Sequence, residues 1–140
     1  MSIEIITEAG EFIASERDCV LALIDADGYP TAARITPSKT EGIKRIFIGN
    51  NINSNWAKRA ENCNRASVCY SLERPESNVT LVGTVEVLTT DLALKKEMWS
   101  DWMSAFYSGP DDPNYCVLQF TTQRYSIFMD GKQVRGTELI

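Results

Sequence analysis

The chain has 140 residues, 44% apolar, 24% charged and 9% aromatic, which is the composition of an ordinary globular domain and not of a disordered or fibrous segment. It contains no histidine, and this excludes serine and cysteine triads, His-liganded catalytic zinc and imidazole pH switches. With 14 Lys and Arg against 19 Asp and Glu, the net charge is -5 and the pI near 4.8, so the surface has no general attraction for phosphate backbones and nucleic acid is not an expected partner.

At 15.7 kDa a folded chain buries roughly two-thirds of its unfolded surface, and a single domain over residues 1–140 is expected. The four cysteines form no CxxC pair. Cys19, Cys69 and Cys116 lie in apolar runs, where buried free thiols are usual, while Cys63 stands between Asn62 and Asn64 as the candidate exposed thiol. Reduced thiols and a cytoplasmic location are the expectation. Glu4, Glu8, Glu11, Glu16 and Asp18 contradict a secretory leader, and the longest apolar run, Cys19 to Ile24, is too short to span a bilayer. No membrane association is expected.

Residues 3–16 place Ile5, Ile6, Ala9, Phe12 and Ile13 at helical spacing, predicting an amphipathic opening helix. Cys19–Asp25 and Thr31–Thr36 are β-rich runs flanking an Asp-Gly turn signal, and they predict a hairpin. A third strand, Lys44–Asn50, follows. Ser54 or Asn53 can cap a short helix through about Asn62, with Trp56, Ala57 and Ala60 on one face. Ala66–Glu73 and Val79–Thr89 read as strands, with Gly83 marking a bulge or barrel bend. Asp91 or Thr90 caps a predicted helix through about Tyr107, carrying Leu94, Met98, Trp99, Trp102, Met103 and Phe106 at helical spacing. After a Pro-rich loop over 108–114, Cys116–Thr121 and Arg124–Asp130 read as two strands, then Gly131 and a polar tail. The fold class is mostly β: a small antiparallel barrel of about six to seven strands with peripheral helices.

Two segments carry donor chemistry. On Thr31–Thr36 the alternation sets Arg34 among small residues, a guanidinium fork beside room for a phosphate or carboxylate, with Lys39 close by in sequence. A solvated arginine paired with a neighbouring acid fits that spacing equally well. Gly49–Asn55 joins a strand to a helix N-terminus and is dense in donors, as an anion site or simply a capped turn would be. The aromatic concentration of Trp99, Trp102, Phe106, Tyr107 and Tyr115 reads as core, interface or the wall of an aromatic ligand. Asp101, Asp111 and Asp112 lack the spacing of a calcium loop, and no metal is expected.

DADGYPTAARITPSKTEGIKRIFIGN, SNWAKRAENCNRASVCY, VTLVGTVEVL, KKEMW and SGPDDPNYCVLQF together give nearly the whole chain a resemblance to the pyridoxamine 5′-phosphate oxidase-related, FMN-binding split-barrel proteins, in particular their short general-stress-protein branch. The resemblance implies a split β-barrel and a homodimer with FMN at the subunit interface. It also implies contacts to the flavin or its phosphate from Arg34, Ile35, Thr36 and Lys39, from Ile48, Gly49 and Asn50 near the ring, and from Ser54 and Asn55 at the phosphate. Where these proteins commonly show Ser-x-Lys, this chain has Ser54-Asn55-Trp56, so Trp56 occupies the lysine position and Lys58 and Arg59 follow. The longer oxidases end in a basic motif for the substrate phosphate. Here Lys132 and Arg135 form no comparable run, which removes pyridoxamine phosphate oxidation from the expectation.

Three functions stay open at this level. One is an FMN-dependent oxidoreductase taking hydride from NADH or NADPH and reducing a small acceptor, with no side-chain acid or base required. The second is a non-enzymatic module that binds a flavin or another ligand. The third is a stress-associated protein acting through protein contacts, its cofactor site weakened.

Overall fold

The computed structural model describes residues 2–137. In chain order the elements are α1 (Ser2–Ser15), β1 (Cys19–Ile24), β2 (Pro30–Ile35), β3 (Lys39–Glu41), β4 (Arg45–Asn51), α2 (Asn55–Asn62), β5 (Arg65–Leu72), β6 (Ser77–Leu88), α3 (Leu92–Glu97), a 3-10 turn (Asp101–Ala105), β7 (Tyr115–Met129) and β8 (Lys132–Gly136). The strands pair antiparallel in the order β2-β1-β5-β6-β7-β4-β3, and β8 also pairs with β7. The two edges of this path, β2 and β3, are joined by three residues, so the sheet curls into a barrel that stays open between them.

Alternation builds the interior. On β1 Cys19, Leu21 and Leu23 point inward, on β5 Ala66, Val68 and Tyr70, and on β6 Val79, Leu81, Gly83 and Val85. One end of the barrel is covered by α1, whose Ile5, Ile6, Ala9 and Ile13 join the same core. From the other side α2 packs on β1, β4 and β6 with Ala57 and Ala60. Placing Cys19 inward puts its thiol in the core, and burial pushes its pKa up to about 11. The same alternation turns Cys69 outward between the inward Val68 and Tyr70. It is partly exposed beside Thr80 and Asn78, which corrects the expectation of a buried thiol.

The strand expectation is corrected at the C-terminal end. Cys116–Thr121 and Arg124–Asp130 are not two strands but one, β7, with a bulge. Opposite Val82 and Gly83 of β6 stand Arg124 and Thr122, leaving Gln123 as the extra residue. The bulge is where β7 changes neighbours, since Tyr115–Thr121 pair with β4 and Tyr125–Met129 with β8. At Gly83 a Cβ would lie 1.9 Å from the Thr121 carbonyl oxygen, so only glycine admits this approach. Buried Thr122 fastens the crossover, its amide donating to Lys44 O at 2.9 Å and its hydroxyl to Ile43 O at 2.5 Å.

The polar tail after Gly131 is in part strand β8, entered through the Asp130-Gly131 turn with both residues at positive φ. Residues 138–140 of that tail lie outside the described residues. Two further differences concern short elements. Lys39–Glu41, outside the predicted strands, is a three-residue strand against β4, and the helix expected from Asp91 to Tyr107 stops at Glu97. A straight helix cannot turn both Met98 and Met103 onto Phe47 and Val117 and keep Trp99 against Tyr115. The chain therefore tightens, Trp99 N donating to Lys96 O at 3.3 Å, and restarts as the 3-10 turn. Trp102 and Phe106 consequently point outward, 61% and 71% exposed, instead of joining Leu94 and Met98 inside.

Candidate functional site

The residues singled out from the sequence fall into three groups. The first sits on the edge strand β2. Asp18 accepts the Thr36 hydroxyl at 2.5 Å and faces Arg34 Nε at 3.9 Å, with Arg17 Nη1 at 4.0 Å. The Arg34 side chain is 79% exposed and, among the described residues, engaged through Nε alone, so this pair contributes little stability and the two terminal nitrogens keep their donors there. Ile35, on the opposite face of β2, packs against the barrel core.

The second group lies along β3 and β4. Lys39 Nζ pairs with Glu97 Oε2 at 3.6 Å, tying β3 to α3. Gly49 N donates to Ser38 Oγ at 3.3 Å, and the Met103 terminal methyl packs over Gly49 so closely that a Cβ there would lie 2.8 Å from it. Ile48, 3% exposed, is a core side chain, so a ligand on this edge would meet its backbone and not its side chain.

The third group is the turn into α2. Asn51 N donates to Asn50 Oδ1 at 2.7 Å, Asn53 N to Asn51 Oδ1 at 2.8 Å, Ser54 N to Asn51 O at 2.9 Å and Ala57 N to the Ser54 cap at 3.1 Å. Most of the donors that made this segment look like an anion cradle are thus spent on the turn itself. Among the described residues, the amides of Asn55 and Trp56 in the first turn of α2 have no protein acceptor. They are the groups a helix N-terminus offers to an anion. The Trp56 ring is partly buried against the barrel core, with the Arg59 guanidinium 5.4 Å from its centroid, and Lys58 is exposed. No hydrogen bond or ion pair among the described residues links the three groups.

A second apolar layer covers the outer face of β4 and β7: Phe47, Met98, Met103, Tyr115 and Val117, with Leu94, Trp99 and Tyr107 at its margin. Its rings meet at 5.5 Å (Trp99 and Tyr115) and 5.3 Å (Tyr107 and Tyr115). What holds this layer was not singled out from the sequence. Lys95 is buried, its Nζ donating to Thr89 O at 3.3 Å and Asp112 O at 3.1 Å and lying 5.4 Å from the Tyr115 centroid. Tyr115 in turn donates its hydroxyl to Lys95 O at 2.9 Å. The only sequence signal is a lysine in the last turn of a short helix, where the dipole welcomes a cation. Of the loop acids, Asp112 accepts from Ser108 N and Asn114 N at 2.9 Å each, and these amides hold its carboxyl below the usual range. Asp25 is held low first by the Tyr29 amide and then by the Thr31 hydroxyl, as the cap of the β1–β2 turn. Among the described residues no three His, Cys, Asp or Glu side chains converge as a metal site, and no helix is long and apolar enough to cross a membrane.

A family model, pyridoxamine 5′-phosphate oxidase like, matches residues 4–132. No curated protein sequence matches the chain. Among solved structures, one related to general stress protein 26, from Clostridium acetobutylicum, is 24% identical, with 96% of this chain and 94% of that one covered and a TM-score of 0.80. A heme binding protein from Mycobacterium smegmatis is 22% identical over 95% of this chain and 57% of that one, with a TM-score of 0.76. A pyridoxamine 5′-phosphate oxidase-related, FMN binding protein from Nostoc punctiforme is 15% identical over 96% and 87%, with a TM-score of 0.69. At these identities the neighbours establish the split-barrel fold, as the strand order with its open β2 and β3 edges requires. The match over residues 4–132 goes further: the chain belongs to the pyridoxamine 5′-phosphate oxidase-like family.

Proposed function

We propose that the chain is an FMN-binding oxidoreductase that works as a homodimer, taking electrons from a reduced nicotinamide and passing them to a small acceptor. The observation that carries this reading is the set of unspent donors: the terminal nitrogens of Arg34 and the amides of Asn55 and Trp56. Such donors fit a phosphomonoester, and an FMN-binding relative shares the fold. In this reading Arg34 and the first turn of α2 hold the phosphate, Thr36 and Lys39 flank it, and the Gly49–Asn50 edge gives the ring a backbone surface without bulk. FMN, when bound, supplies the hydride chemistry, so the protein's tasks are to bind, orient and exclude water. A second copy supports the site because β2 is an open edge, with Ala32, Ala33 and Arg34 all exposed.

Trp56 at the usual lysine position favours a second reading, a binding module in which the ligand is held but not turned over. Two measurements separate the readings. The visible spectrum of the purified protein, with mass analysis of any released chromophore, shows whether FMN is bound. Anaerobic addition of NADH or NADPH then shows whether the flavin is reduced. The oxidoreductase reading expects both, and a bound flavin that neither donor bleaches leaves the binding module. Arg34→Ala is expected to weaken FMN roughly ten- to a hundredfold, about 1.5–3 kcal/mol for a charge-assisted phosphate contact. Unchanged affinity would return Arg34 to the role of a solvated partner of Asp18.

A further inference from the structure

The outer face of β5, β6, β7 and β8 lies away from the Arg34 group and carries a cluster of three arginines. Cross-strand register sets Ser67, Val82 and Arg124 in one row and Cys69, Thr80, Ser126 and Arg135 in the next, with Arg65 opposite Thr84. Arg65, Arg124 and Arg135 are all exposed, and among the described residues none has a carboxylate partner. In a chain of net charge -5 this is a separation of charge, and Glu86, on the same face, is one outward position beyond Thr84.

Two clefts run through this face and share Val82 and Arg124. The first, about 480 Å³, is walled by Asn64, Arg65, Thr84, Gln123 and Arg124, which offer two guanidinium forks, two carboxamides and a hydroxyl. The second, about 340 Å³, has Thr80, Val82, Ser126 and Gly136 along it and lies between Arg124 and Arg135. One cleft suits phosphoryl oxygens, and the other suits a flat ring stacked against a guanidinium. The β7 bulge shapes both: Gln123, the extra residue, projects into the first, and Arg124 follows it at the junction.

We infer that this face is a binding site for a nucleotide, its phosphates between Arg65 and Arg124 and its base over Val82 between the Arg124 and Arg135 side chains, with Arg124 contacting both parts. The site does not depend on the flavin reading. Arg34, on β2, is separated from Arg124 by β1, β5 and β6.

Calorimetric titration of the full chain with ADP at low salt tests the inference, with adenosine and inorganic pyrophosphate as half-ligands. ADP is expected to bind at least tenfold more tightly than either half, because each half fills one cleft. Arg124→Gln is expected to weaken ADP at least tenfold, and Arg124→Lys to recover part of the loss by restoring charge without the fork. Arg34→Ala is expected to leave ADP affinity unchanged. Four results would overturn the assignment: no ADP binding; pyrophosphate binding as tightly as ADP, the mark of a bare basic patch; ADP affinity lost in Arg34→Ala, the mark of ADP in the cofactor site; or Arg124→Gln shifting the sedimentation of the free protein while ADP binding is untouched, the mark of a subunit contact. Matching thermal melts for the Arg124 variants separate a lost contact from a lost fold.

Discussion

The barrel interior and the layer outside β4 and β7 are both apolar, yet they are held by different means. Inside, aliphatic side chains alternate along strands and are covered by α1 and α2, and almost nothing polar is needed beyond the backbone ladders. Outside, methionines and aromatic rings rest on an otherwise exposed sheet face. They stay there because the buried Lys95 ammonium ties Thr89, Asp112 and Tyr115 together. A layer whose packing depends on one cation is expected to open separately from the barrel beneath it. That matters for function, because Gly49, at the proposed flavin edge, lies under Met103 of this layer, and Lys39 is tied by Glu97 to α3, which contributes Leu94 to it.

The largest effects should come from the barrel. Gly83→Ala places a methyl on the Thr121 carbonyl and cannot be relieved without undoing the β7 bulge, so a loss of about 3 kcal/mol or more is expected by chemical denaturation. A cost under about 1 kcal/mol would show that the bulge is soft. Lys95→Met keeps most of the volume but leaves two carbonyls without their donor, at a cost of about 2–3 kcal/mol. Hydrogen exchange should show that loss as faster opening over residues 89–115 while β1, β5 and β6 keep their protection. Uniform acceleration through the barrel would refute the separation of the two regions.

Alkali should sharpen the same contrast. Burial raises Cys116 to about 11 and Tyr115 to about 12, from ordinary values of 9.0 and 10.0. Groups whose folded pKa is raised stabilise the fold fully below the unfolded value and lose that contribution as pH climbs through the folded one. Melting temperature is therefore expected to fall from about pH 9 upward, with Cys116→Ala removing part of the earlier decline, which buried Cys19 shares, and Tyr115→Phe part of the later, which Tyr70 shares. A flat profile between pH 9 and 12 would mean these groups reach water without unfolding.

How much of this was legible beforehand divides along the same line. Period-two alternation made β1, β5 and β6 readable, and Gly83 was recognisable as a bend because nothing else explains a glycine amid strand formers. The β7 bulge was not, since two strands broken at Thr122-Gln123 and one strand that swaps neighbours there produce the same pattern. β8 has only the Asp130-Gly131 turn to announce it, since Val134 is the one strong strand former in Lys132–Gly136. For the outer layer, helical spacing from Leu94 to Phe106 suggested one helix, and only packing against Phe47 and Val117 decides that it breaks. In the candidate site, Arg34 and Ser54 were legible as residue types. The spending of the Asn51 and Asn53 amides on neighbouring side chains was not, because it follows from three-dimensional turn geometry.

The smallest effect gives the cleanest comparison, because each region holds one buried tyrosine hydroxyl. Tyr115 donates to Lys95 O, so Tyr115→Phe strands a buried carbonyl and is expected to cost about 1–2 kcal/mol at neutral pH. Tyr70, in the barrel, is buried beside the Cys19 thiol with its hydroxyl unpartnered among the described residues, and that burial pushes its pKa far up. Removing the oxygen relieves a desolvated group at the cost of no more than a weak contact with the Cys19 sulfur. Tyr70→Phe is therefore expected to be neutral or stabilising by up to about 1 kcal/mol. If Tyr70→Phe instead costs as much as Tyr115→Phe, the barrel core has a polar tie of its own, and the distinction between an aliphatic interior and a cation-held outer layer fails at the residue where it should be plainest.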